Sequence, residues 1–148
     1  MFIFKHLEPG DDLTGAMEIR YTVFVDEQGF SRENEMDDTD PLAWHVILCD
    51  GETPVATGRL FPDKAYPDKF HIGRVAALKS CRGLGLGKRL MEELESYALS
   101  LGATNIILGA QLQAKGFYEK CGYKSFGNLY LDEHCEHIKM KKKLYKDL

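Results

Sequence analysis

Apolar residues recur along this chain at two periods, and the alternation between them predicts its elements. Phe2, Ile3 and Phe4 open it as a short strand. Residues 13–28 predict a helix, with Ala16, Ile19, Val23 and Phe24 on one side and Asp12 as its N-cap. A polar, acidic loop follows, 31–41. Residues 43–49 and 54–61 read as two strands joined at Asp50-Gly51-Glu52, a hairpin turn. The turn-rich stretch 62–69 leads into a third strand, 70–78. After a glycine cluster at 82–87, Leu90, Leu94, Tyr97, Ala98 and Leu101 recur at the helical period, with Glu92, Glu93, Glu95 and Ser100 on the wet sides. Gly102 sits where a helix C-terminal glycine belongs. A buried strand at 105–109, a short helix at 113–120 closed by Gly122, and strands at 123–130 and 137–144 complete the order. Hairpins mixed with crossover helices predict an α+β fold, one mixed sheet with helices on both faces.

At 148 residues the chain suits one domain, 1–148. A hydrophobic content of 44% and a charged content of 28% are those of an ordinary globular protein. The net charge of -4 argues against a nucleic-acid partner. No apolar run is long enough for a transmembrane helix, and no signal peptide is apparent. Cys49, Cys81, Cys121 and Cys135 form no C-x-x-C pair, which argues against a zinc site or a disulfide framework. They read as reduced thiols in a cytoplasmic protein without a metal.

The chemical signal is the sequence Arg82-Gly83-Leu84-Gly85-Leu86-Gly87 between a strand and a helix. Glycines let the backbone approach a ligand, and the first N–H groups of a helix, unpaired and at its positive end, suit a phosphate. The Walker pattern fails at Arg82 and Arg89, and the dinucleotide fingerprint fails on spacing. The pattern [QR]-x-x-G-x-[GA] fits Arg82, Gly85 and Gly87.

That loop, with GRVAAL (73–78), NIILGA (105–110) and AKGFYEKCGY (114–123), resembles the GNAT acetyltransferases over essentially the whole chain. R-x-x-V-F-V-x-E-Q (20–28), E-x-D-x-x-D (35–40), Ala43 with His45, Gly73 to Ala76, Ala110-Gln111 and H-x-x-M (137–140) are similar to the ElaA/YjcF-type subgroup. The resemblance implies a mostly antiparallel sheet splayed between two adjacent strands. It implies an N-acetyltransferase that moves an acetyl group from acetyl-CoA to a primary amine of a small molecule or peptide. The backbone of Val75, Ala76 and Ala77 would hold the pantetheine arm as an added strand. The amides from Arg82 through Gly83, Leu84, Gly85, Leu86 and Gly87 to Lys88 would hold the pyrophosphate. Gln111, Gln113 and Lys115 would line the coenzyme's path.

Tyr118, in the family's F-Y-E-K motif, is the candidate acid for the departing thiolate, since a phenol stays protonated at neutral pH. His137 is the first candidate base; His45, or a water-linked Glu35 or Asp37, are alternatives. Arg20, Arg74, His45 and Gln111 are candidate substrate contacts. Arg74 is able to bind a carboxylate or to tie down an acidic residue. The acidic stretch Glu33, Glu35, Asp37, Asp38 and Asp40 either draws a cationic amine to the pocket or is a solvated loop. Lys139, Lys141, Lys142, Lys143 and Lys146 read as lysines guarding a strand edge. The resemblance is compatible with a homodimer. A module that binds acetyl-CoA without turnover is the alternative function.

Overall fold

The computed structural model describes residues 1–145; Lys146 lies outside the described residues. Seven strands form one sheet: β1 (Phe2–Leu7), β2 (Trp44–Asp50), β3 (Thr53–Pro62), β4 (Lys69–Ala77), β5 (Asn105–Gln111), β6 (Lys124–Asp132) and β7 (Cys135–Lys143). Their spatial order is β1-β2-β3-β4-β5-β7-β6. Only β4 and β5 pair in parallel; every other neighbouring pair is antiparallel. The α+β architecture read from the sequence is therefore the one observed. The sheet's edges are β1 and β6. The lysine-rich strand β7 is internal, so edge protection does not account for its lysines.

Helices cover both faces. Helix α1 (Thr14–Arg20) packs Ala16 and Ile19 on Ile47, Cys49 and Ala76. It continues as a π-helical segment, Tyr21–Glu27, whose Val23 joins the same cluster. A short α2 (Arg32–Glu35) and a 3₁₀ turn (Asp40–Leu42) occupy the expected loop. On the opposite face, α3 (Leu86–Ser100) buries Leu86, Leu90, Met91, Leu94 and Ala98 against the main core, which includes Val46, Leu48, Leu60, Phe70 and Ile72. Its closest approach crosses Gly58, where a Cβ would lie 2.6 Å from Leu94. Helix α4 (Lys115–Lys120) follows β5 on this face and adds Tyr118 to the main core. No helix among the described residues is long and apolar enough to cross a membrane.

Glu95 departs from its predicted wet position. It is buried, accepting hydrogen bonds from the Tyr123 hydroxyl (2.7 Å) and the Lys142 ammonium (2.8 Å). Partners from the turn before β6 and from β7 satisfy the carboxylate, and helical periodicity has no view of such partners.

Candidate active site

The site begins where β4 and β5 part. They pair only through Lys69, Phe70 and His71 against Asn105, Ile106 and Ile107. Beyond that, β4 stays bound to β3 as far as Ala77, and β5 stays bound to β7 as far as Gln111. The parted strands line a cleft of about 850 Å³. A bulge accompanies the divergence: Thr57 pairs with Ala76 but Arg59 with Gly73, which inserts one extra residue into β4 at Arg74–Val75. Arg74 takes a left-handed φ of 52°. Bulges bend a strand and re-aim its side chains, and backbone strain of this kind collects at functional sites.

The glycine loop stands at one mouth of the cleft. Gly83 and Gly85 have φ of 82° and 73°, conformations that suit glycine, and Gly85 is the N-cap of α3. No side chain caps the helix, and its first turn has no acidic residue. The amides of Leu86, Gly87 and Lys88 have no hydrogen-bond partner among the described residues. They form a set of unpaired donors at a positive helix end. A Cβ on Gly87 would meet the Phe117 ring at 3.1 Å. Arg82 bonds the Ala77 carbonyl through Nε (3.1 Å) and Nη2 (2.9 Å), and it pairs with Glu27. It pins the loop to the end of β4 and occupies one of the carbonyls expected to meet a pantetheine arm.

Tyr118 reaches the cleft from α4 and is 9% exposed. Arg59 Nε is the one fully sealed side-chain polar atom without a partner among the described residues. The Tyr118 hydroxyl also has no partner among the described residues but is not fully sealed, and Tyr118 lines the cleft. Burial, helped by Cys121, raises its pKa well above that of a free phenol. His137 lines the cleft from β7, stacks beside Tyr130 at 5.6 Å, and is cross-strand from Gln111. Its Nδ1 lies 3.0 Å from the Cys135 carbonyl and donates to it, which leaves Nε2 as the lone-pair nitrogen of the neutral ring.

Val75, Ala76, Ala77, Arg82, Gly87, Arg74, Gln111, Tyr118 and His137 thus all line one cleft. Leu86 turns its side chain into the core and offers only its backbone. Leu84 is exposed at the loop tip. Gln113 lines an adjoining pocket of about 430 Å³; it donates to Gln111, which donates to Gln28.

Arg20 and His45 lie beneath the cleft and do not line it. Arg20, 1% exposed, binds the Glu35 carboxylate (2.9 Å) and both oxygens of Asp40 (2.7 and 3.0 Å). His45 Nε2 lies 3.1 Å from the Asp40 carbonyl, and burial lowers its pKa. Arg59, to which no motif pointed, completes the network. It binds Asp40 at 2.9 Å and Asp37 at 2.7 Å, while Arg74 binds Glu35 at 3.0 Å. Burial works to raise the Asp40 pKa, but the hydrogen bonds and charges of Arg20 and Arg59 and the Asp37 backbone N–H hold it far below the usual range. Three guanidinium groups meet three carboxylates, so Glu35, Asp37 and Asp40 are already paired and not free to attract a cation, although Asp37 is partly exposed. Only Glu33 and Asp38 of the acidic stretch lack such partners. Neither chain distance nor periodicity pointed to this network, because its partners come from α1, the loop, β3 and β4.

A model of the acetyltransferase (GNAT) family matches residues 13–123. The chain belongs to the GNAT family. Within it, the chain is 37% identical over 133 residues to the uncharacterized N-acetyltransferase YjcF of Bacillus subtilis, covering 89% of this chain and 93% of the relative. An acyl-CoA N-acyltransferase from Pseudomonas aeruginosa superposes with a TM-score of 0.85 at 26% identity, over 96% of this chain and 99% of that one. Escherichia coli ElaA shares the fold with a TM-score of 0.85 at 24% identity, again over 96% and 99%. These relatives place this GNAT protein in the ElaA/YjcF-like subgroup and identify it as an N-acyltransferase.

Proposed function

We propose that this protein transfers an acetyl group from acetyl-CoA to a primary amine of a small molecule or peptide. One observation carries the reading: the unpartnered amides of Leu86, Gly87 and Lys88 stand at a helix end whose Gly87 lines the same gap between parted strands as Tyr118. The amides suit a diphosphate, and the gap admits an extended arm beside β4. Arg82 then keeps the loop in shape, and Gln113 flanks the path.

In this mechanism His137 Nε2, directly or through a water, takes the proton of the attacking ammonium. The amine nitrogen then bonds to the thioester carbonyl carbon. The Val75 N–H, beside the bulge, receives the developing oxyanion. As the carbon–sulfur bond breaks, Tyr118 gives its proton to the departing sulfur, the nitrogen loses its second proton to solvent as the amide forms, and solvent reprotonates Tyr118 and takes the proton from His137. A module that merely held the coenzyme would have no use for an open Tyr118 hydroxyl or for an acceptor side. The four unpaired thiols suit a reducing compartment.

A thiol-release screen with acetyl-CoA over a library of amines tests the reading. Turnover with at least one class of amine is expected. Coenzyme binding without thiol release from any amine would transfer the assignment to a non-catalytic binding module.

A further inference from the structure

The side of the cleft facing away from α3 carries unspent donors. Lys139 lines the cleft from β7 and makes no hydrogen bond or ion pair among the described residues. It is cross-strand from Gly109 on β5, and a Cβ on Gly109 would collide with the Tyr130 hydroxyl. Tyr130 therefore extends over the bare backbone of Gly109, next to Lys139. Its hydroxyl has no partner among the described residues, and burial, with Asp132, raises its pKa, so it remains a donor. Arg59 Nε, 4.0 Å from a Cβ on Gly73, also lacks a partner among the described residues but is sealed from the cleft.

Most carboxylates near this side are spent, and the two without a cationic partner among the described residues, Asp132 and Glu133, stand at the β6–β7 turn. Glu35, Asp37 and Asp40 are matched by Arg20, Arg59 and Arg74. Asp63 is bound to His71 Nε2 at 2.7 Å. Glu133 accepts the Ser31 N–H at 2.9 Å. Asp132 lines the cleft and acts on Tyr130, but it is cross-strand from Cys135, four positions before Lys139 on β7 and so about 13 Å from it along the strand. Lys139 also lies on an internal strand, where a lysine has no edge to guard.

We propose that the acceptor is an amine that also bears a carboxylate, and that Lys139 and Tyr130 bind that carboxylate. The ammonium of Lys139 and the phenol of Tyr130 supply two hydrogen bonds to one anionic group. A second cationic group on the acceptor, as in a diamine, would meet Lys139 with like charge. This inference rests on the acetyltransferase reading and narrows its acceptor.

The test compares amino acids, neutral alkylamines and diamines of matched length in the thiol-release assay. Amino acids are expected to exceed both other classes at least tenfold in kcat/KM. Lys139→Met should raise KM for the amino acids about tenfold more than for the alkylamines. Lys141→Met should leave that ratio unchanged, since Lys141 is exposed beside Phe126 and does not line the cleft. Equal or better turnover of diamines, or an unchanged ratio in Lys139→Met, overturns the carboxylate site and leaves the transferase intact. If no amine releases thiol, the same compounds are titrated calorimetrically onto coenzyme A-loaded protein. Lys139-dependent binding of the amino acids then upholds the site, and its absence overturns it.

Discussion

Asp40 has no exposed side-chain surface and holds two guanidinium groups at once. Removing one partner of a buried ion pair leaves the others uncompensated, at a cost of about 3–5 kcal/mol. Asp40→Asn should lose stability on that scale, read as a lower urea midpoint at pH 7. The pH dependence has a definite sign. Asp40 titrates near 3.9 when unfolded and well below that when folded. Its contribution is therefore fully present above about pH 5 and is lost as pH falls through the folded value. Between pH 7 and pH 3 the wild type should lose more stability than Asp40→Asn, and parallel losses would refute the assignment. Tyr118 gives the matching chemical prediction. Tyr118→Phe should lower kcat roughly 10²-fold or more, with the affinity for acetyl-CoA within about twofold of wild type. Stopped-flow turnover and equilibrium titration measure the two separately. The candidacy of Tyr118 was legible from its motif, whereas its raised pKa and open hydroxyl depend on what packs around the ring.

At the scale of elements, the start of α3 is where local conformation meets function. Gly85 has open space around its Cα but a φ of 73°. A side chain there should cost about 1–2 kcal/mol through backbone strain alone. Gly85→Ala should therefore weaken acetyl-CoA binding by distorting the N-cap, and a steady-state KM for the coenzyme detects it. Loop and helix were both readable from the chain, since glycine spacing and a 3.6-residue apolar period are local properties. The π-helical segment Tyr21–Glu27 was not: it reads as ordinary helix, although it brings both Val23 and Phe24 from the core cluster to the cleft. Helices of this type recur at functional sites, and the wider turn is set by packing and not by local preference.

For the whole molecule, the parted sheet is the decisive feature. β4 and β5 leave backbone groups unpaired in a gap that a bound coenzyme arm would fill, so saturating acetyl-CoA should stabilise the folded state. At about 100 times Kd the gain is about 2.7 kcal/mol, or roughly 5–10 °C in Tm for a domain of this size. A thermal melt with and without the coenzyme checks this. ATP at the same concentration should give a smaller shift, because it lacks the arm that occupies the gap. An equal shift would place the binding energy in the phosphate loop alone.

The sequence by itself determined the order of the elements, the glycine loop at the start of α3, and the family to which the chain belongs. Each of these depends on residues close together along the chain. Tertiary structure alone decided the rest. It placed β7 inside the sheet, which gives its lysines a face to line where an edge had been expected. It buried Arg20 and Asp40 with Arg59, a residue with no motif of its own, and so removed the acidic loop's charge from the acceptor side. The physical reason is common to both outcomes. Strand order and charge pairing are set by contacts between distant segments, and a local pattern of polar and apolar positions does not say which segments will meet.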